Sequence, residues 1–195
     1  AKRLAGPEFH VYLVSRDNLA LGITVQGRVT QFGLSDDGQL ACFTGVFGAT
    51  DIFLYDVPSA TLRRATTNQS VVAFALAPTG DRLAYVGTPN AGTPRSLIIR
   101  DLVTGASTTV IAFTATAAID PLRFSQDGRS LVFVTTLALP TERTGVADTN
   151  GVSDVFHYDL NSNILNLISV GSDGQLGNGA ANQPQLSGDG RRVVF

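Results

Sequence analysis

Seven polar residues in the last third of the chain are the side chains most able to do chemistry: Glu142, Arg143, Asp148, Asn150, Asp154, Asp173 and Asn178. Three of them fall in the run Asp148-x-Asn150-Gly151-x-x-Asp154. Oxygen ligands at alternate positions around a glycine turn match the front half of a calcium loop, where glycine permits the tight bend. The bidentate acid expected further on is missing at the right distance. An Asx-turn, with Asp and Asn bonding their own backbone, accounts for the same residues without a metal. Both readings stand at this point, with calcium as the candidate cofactor and Asp148, Asn150 and Asp154 as its ligands.

Catalytic chemistry has little to work with. Hydrolysis needs a nucleophile, a base and an orienting acid. The two histidines, His10 and His157, fall on equivalent strands offset by one position, so they are expected to point to opposite sides. No serine sits in a Gly-x-Ser-x-Gly elbow. Asp36 and Asp37 read as turn formers rather than as a glycosidase pair. No Gly-rich phosphate loop is present. The chain is therefore read as non-catalytic.

Composition narrows the partners. The net charge is −2, and Arg63-Arg64 and Arg191-Arg192 are isolated pairs, read as exposed strand residues rather than a basic stripe. Nucleic acid is not expected, and no apolar run is long enough for a membrane span. The one cysteine, Cys42, lies in an apolar run and reads as buried and inert. No methionine occurs, even at position 1, which suggests a processed, excised or engineered chain.

These side chains must be positioned by a repeat. One sentence is written four times: Ser35-Asp36-Asp37-Gly38-Gln39-Leu40, Ala77-Pro78-Thr79-Gly80-Asp81-Arg82, Ser125-Gln126-Asp127-Gly128-Arg129-Ser130 and Ser187-Gly188-Asp189-Gly190-Arg191-Arg192. Asp-Gly between two β-rich runs is a strong hairpin signal, because glycine accepts positive φ. The turn glycines Gly38, Gly80, Gly128 and Gly190 are about 42, 48 and 62 residues apart, near the length of a propeller blade with insertions. A second motif follows each hairpin: Asp51-Ile52-Phe53-Leu54-Tyr55-Asp56, Ser96-Leu97-Ile98-Ile99-Arg100-Asp101 and Asp154-Val155-Phe156-His157-Tyr158-Asp159.

Each unit then reads as four strands, A to D. They are expected at 29–34, 40–44, 51–56 and 61–66, at 71–76, 82–87, 96–101 and 107–113, and at 118–124, 130–135, 153–159 and 164–170. Runs such as Leu131-Val132-Phe133-Val134 are apolar at successive positions, which suits a sheet covered on both faces. A blade packed between two other blades is such a sheet. No helix is expected within 118–170. The fold class is all-β, a propeller of four-stranded antiparallel blades with about four blade-equivalents.

Ser-x-Asp-Gly-x-x-Leu-Val-Phe followed by Asp-Val-Phe-x-Tyr-Asp-Leu resembles the propeller repeat of the TolB-like family, of the broader WD type. The run from Gly145 to Leu160, and Ser169-Val170-Gly171-Ser172-Asp173-Gly174 leading into Gly177-Asn178-Gly179, is similar to long-loop versions of that repeat. The second copy departs from it, with Thr79-Gly80 for Asp-Gly and Arg100 for the tyrosine. The resemblance covers roughly 28–195. It implies a periplasmic or secreted setting and faces that bind partners.

Residues 1–7 read as a flexible lead or a leftover of cloning. Residues 8–27 supply only strands C and D, 28–70, 71–117 and 118–180 make blades one to three, and 181–195 supply only A and B. The two part-blades are complementary. Three arrangements stay open: a ring closed within one chain, a homo-oligomer completing the ring, or a piece of a longer propeller. In such a ring the B–C and D–A loops share one face. Blade three is long at both, at 136–152 and 171–182, and long loops in compact domains are usually functional or disordered. The expected function is a scaffold binding a protein partner or small ligand over that face. The alternatives are an accessory or gating propeller of a larger hydrolase, or a self-assembling repeat without ligand.

Overall fold

The computed structural model describes residues 8–14, 20–26, 31–47, 49–88, 94–113 and 118–195, the first two segments by backbone alone. The lead at 1–7 lies outside them. β1 (Glu8–Val14) pairs with β2 (Ala20–Gln26). Blade I holds β3 (Phe32–Leu34), β4 (Leu40–Phe47), β5 (Ala49–Asp56) and β6 (Thr61–Arg64). Blade II holds β7 (Ala73–Leu76), β8 (Arg82–Gly87), β9 (Arg95–Asp101) and β10 (Ser107–Phe113). Blade III holds β11 (Ile119–Phe124), β12 (Ser130–Thr135), β13 (Asp154–Asp159) and β14 (Ile164–Leu167). β15 (Gln185–Leu186) pairs with β16 (Val193–Val194). Each blade is an antiparallel meander in chain order. The pairs β1–β2 and β15–β16 are separate sheets, and no strand pairing among the described residues joins them.

Alternation along β8 explains the continuous apolar runs. Leu83 and Tyr85 pack into a core with Cys42, Ile52 and Leu54 of blade I. Ala84 and Val86 pack into a second core with Leu131, Phe133 and Phe156 of blade III. Successive side chains of a strand point to opposite faces, and both faces of β8 are covered, so Leu83, Ala84, Tyr85 and Val86 are apolar in succession. Stacked aromatic pairs mark the central strands: Phe43 faces Phe53 at 6.0 Å, and Phe133 faces Phe156 at 5.6 Å.

The serine-aspartate turns are built by one local code. Ser35, Ser125 and Ser187 each donate through Oγ to the aspartate two residues on, at 2.5, 2.5 and 2.7 Å. Each also accepts from the backbone N–H five residues on. These aspartates, Asp37, Asp127 and Asp189, accept in turn from the N–H two residues beyond. Blade II makes the same hairpin with Ala77 at the serine position, and its Thr79 donates to Asp81 instead. The turn glycines Gly38, Gly80, Gly128 and Gly190 all sit at φ between 66° and 73°.

The A strands of successive blades come together, with β3 against β7, β7 against β11 and β11 against β15. Strand A is thus the inner strand and strand D the outer one. The A–B turns also meet: Asp36 N–H donates to the Pro78 carbonyl, and Gln126 donates to the Asp36 carboxylate. That leaves the B–C and D–A connections to the opposite face.

Two expectations need correction. A one-turn helix, α1 (Thr141–Thr144), lies in the 136–152 loop. The Pro140 carbonyl accepts from Arg143 and Thr144, and Gly145 at φ 74° stops the turn. Proline before and glycine after is the ordinary punctuation of a helix, but four residues carry no periodicity to read. Strands β6 and β14 also stop short of 66 and 170. There Thr66 and Ser169 turn their hydroxyls back onto Asp51 and Asp154.

Candidate functional site

The two long connections of blade III meet. Asn150 donates through Nδ2 to the Gly177 carbonyl at 2.9 Å. Ala181 N–H donates to the Ser153 carbonyl at 2.8 Å, and Ser153 Oγ donates to Asn182 Oδ1 at 3.0 Å. Within the second loop, Val170 bridges Leu176, and Asp173 Oδ1 accepts from Gln175 N–H at 3.0 Å. The loops therefore form one fixed block on one face of the blade.

The seven expected residues separate into three places. Glu142 and Arg143 sit on α1, which packs against the outer strand β14. Arg143 donates to the Val110 carbonyl of β10, and Leu137, Leu139 and Val146 from the same loop join the core between blades II and III. Much of this insertion is thus a wedge between the outer strands of blades II and III. Asp173 and Asn178 are exposed on the second loop. Asp148, Asn150 and Asp154 stay together at the junction of the two loops.

That junction is electrically unusual. Asp154 is fully buried, and its Oδ1 accepts from Ser169 Oγ at 2.6 Å. Its Oδ2 is buried without a hydrogen-bond partner, and so is Asp148 Oδ2. Burial first, and then the charge of nearby Asp154, hold the Asp148 carboxyl above its ordinary range, against a backbone N–H bond from Asn150 that lowers it. Asn150 ties the junction together, its Oδ1 accepting one bond from Val152 N–H and its Nδ2 reaching the other loop.

Strand C of blade I carries the same aspartate in a different setting. Asp51 opens the motif that ends at Asp56, as Asp154 opens the one ending at Asp159. Asp51 also accepts from a hydroxyl, Thr66 Oγ1 at 2.8 Å. It is then paired with the Arg64 guanidinium and takes the N–H groups of Asn68 and Gln69 at 3.0 and 3.1 Å. Arg64 is therefore an ion-pair partner and not an idle exposed arginine. Neither this pair nor the orphan oxygens were visible in spacing, although aligning Asp51 with Asp154 shows Leu167 where blade I has Arg64.

No catalytic set gathers around the histidine whose side chain is described. His157 Nε2 is buried without a partner, and burial lowers its basicity against opposing effects of Asp159 and a Gly190 backbone bond. It lines a hollow of about 260 Å³ with Ile168, Gly190, Arg191, Val193 and Phe195. The side chain of His10 lies outside the described residues. A second hollow, about 230 Å³, opens between Arg82, Asp101, Tyr158 and Asn163. Among the described residues no helix is long and apolar enough to cross a membrane.

No family model and no curated protein sequence matches the chain. Solved structures do. TolB from Acinetobacter baumannii aligns with a TM-score of 0.61 at 15% identity, over 94% of this chain and 42% of that one. A putative TolB from Agrobacterium tumefaciens gives 0.60 at 20% identity, over 95% and 62%. The β-propeller domain of the Trilobed protease from Pyrococcus furiosus gives 0.52 at 14%, over 70% and 41%. The chain spans less than two thirds of each of these proteins. At such identities the likeness is one of fold, and it joins the repeat, the meanders and the converging A strands in one conclusion: the chain has the fold of a TolB-like β-propeller.

Proposed function

We propose that this propeller is a non-catalytic scaffold that binds a protein partner over the loop face of blade III. The observation that carries the reading is the interlock of the two insertions through Asn150 and Gly177, and through Ser153 and Ala181. A surface fixed before binding loses less conformational entropy on docking. The exposed rim of that block offers Asp173 and Asn178, with Glu142 further out on α1. The TolB resemblance supports a periplasmic or secreted setting for it. A photo-crosslinker placed at Asn178 should capture the partner in the source cell, and one placed at Gly38 on the opposite face should not. Equal capture from both positions, or capture from Gly38 alone, rejects the loop face as the docking surface.

A second reading follows from proportion. Tricorn protease aligns with 74% of this chain at a TM-score of 0.54, and the chain covers 15% of it. On this reading the propeller is an accessory domain of a larger hydrolase. The reading frame around the coding sequence tests it, since an adjoining catalytic domain is required.

A further inference from the structure

A buried carboxylate needs a compensating charge or a full set of donors. Blade I supplies both to Asp51, through Arg64, Thr66 and two backbone N–H groups. Blade II avoids the demand by carrying Ser96 at that position of its motif. Blade III keeps the acid, as Asp154, and keeps the hydroxyl donor, as Ser169. It has lost the rest. Leu167 replaces the arginine, and it is buried in the core that α1 helps to cover, so no guanidinium can enter there. The backbone after Ser169 folds into its own hairpin, with Gly171 N–H donating to the Gln175 carbonyl. The 136–152 loop then delivers a second acid, Asp148, instead of a cation. Two buried carboxylate oxygens, Asp148 Oδ2 and Asp154 Oδ2, end without a donor at the junction of the two loops.

We infer that Asp148 and Asp154 form the core of a divalent-cation site of the calcium type, the cation taking the role that Arg64 plays for Asp51. Calcium accepts carboxylate, carboxamide, carbonyl and water oxygens together. Asn150 stands next to one of the two acids, its backbone N–H bonding Asp148, and its Oδ1, with two acceptor positions, accepts one bond from Val152 N–H. Among the described residues no three His, Cys, Asp or Glu side chains converge, so the balance of the shell is neutral oxygen, which favours calcium over zinc. Two charged ligands place affinity at the weak end of calcium modules, with a dissociation constant of about 10⁻⁴ to 10⁻³ M. The site would brace the 136–152 loop against strand β13. It does not depend on the partner-binding reading, and its test uses no partner.

The experiment is calorimetric titration of the chelator-stripped chain with calcium chloride, alongside thermal melting in calcium and in chelator. One saturable site per chain is expected, with a melting temperature raised by several degrees at about 10 mM calcium. Asp148→Asn should remove both the heat and the shift. Asp51→Asn, which alters the arginine-paired counterpart, should leave the calcium heat in place. Asp154→Asn is the more direct change, and if it does not fold, the Asp148 and Asp51 variants still decide. The inference is overturned if calcium gives neither heat nor shift. It is equally overturned if Asp148→Asn keeps both, since the cation then binds elsewhere.

Discussion

The Arg143 guanidinium donates to the backbone carbonyl of Val110, which ties the loop inserted in blade III to the outer strand of blade II. Val110 is buried, so its carbonyl has no water to turn to. Arg143→Ala should cost about 1–2 kcal/mol of stability in a urea melt, the range for leaving a buried acceptor without its charge-assisted donor. The same variant should raise the rate of protease nicking within 136–152, because α1 loses its tie to the neighbouring blade. Unchanged nicking would mean that Leu137 and Leu139 hold the loop by packing alone.

Gly128 and Gly38 occupy the same place in two hairpins, at φ 66° and 71°. A Cβ at Gly38 would meet nothing within 4 Å, whereas at Gly128 it would meet Thr79 Oγ1 at 2.8 Å. Gly38→Ala should therefore cost only the left-handed strain, about 1 kcal/mol. Gly128→Ala adds the displacement of Thr79 from Asp81 and should cost about 2–3 kcal/mol. Parallel denaturant melts of the two variants measure the difference, which reports how tightly the turns of blades II and III are packed.

The contrast also shows what sequence carries and what it does not. The Ser-x-Asp-Gly turns are legible because every bond in them spans at most five residues, from Ser125 to Ser130 for example. The strands are legible because Leu83 to Val86 are apolar at consecutive positions. The Asp51–Arg64 pair is not legible in the sequence because it crosses from strand C to strand D, and its register comes only with the fold. The Val110 acceptor of Arg143 lies in another blade, beyond any local pattern. The unusual setting of Asp154 emerges only by comparison with Asp51, once both strands are superposed by their shared motif.

Asp51 should make the protein acid-sensitive. Burial alone would raise its carboxyl, but Arg64, the N–H groups of Gln69 and Asn68 and the Thr66 hydroxyl outweigh that and hold it below the ordinary 3.8. With a depressed value in the folded state, the unfolded chain takes up the proton first as pH falls. The stabilisation is thus complete above the ordinary value and is lost as pH drops through the folded one. Urea melts between about pH 6 and pH 2.5 should show a steep loss that Asp51→Asn flattens. At neutral pH, Arg64→Met should cost about 1–3 kcal/mol, because it strands a buried charge on one side while Arg64 itself is partly solvated.

Ser125→Ala tests whether the turn code is necessary or only helpful. Ser125 Oγ donates to Asp127 at 2.5 Å and accepts from Ser130 N–H at 3.0 Å, in a buried setting. Blade II closes the same hairpin with Ala77, whose N–H still donates to the Arg82 carbonyl at 2.9 Å. The variant should fold with an unchanged circular dichroism spectrum and lose about 1 kcal/mol. Loss of the fold would mean that the blade II turn relies on Thr79 and Asp81 for what serine does elsewhere.

Cys42 offers a reporter for opening of one interface. It lies on β4, fully buried against Leu54, Leu83 and Tyr85 in the core shared by blades I and II. Burial pushes its thiol well above the usual range, so in the closed protein almost no thiolate exists to react. Alkylation at about pH 8 must then wait for blade I to separate from blade II. The labelling rate should be slow in native buffer, rise with urea well before global unfolding if the blades part independently, and track the global transition if they do not. Because Gly128→Ala disturbs the contact between blades II and III, it should leave this rate nearly unchanged in the first case. In the second case it should accelerate labelling in proportion to its stability cost. One thiol, followed by mass spectrometry, therefore decides whether the inter-blade cores melt singly or together.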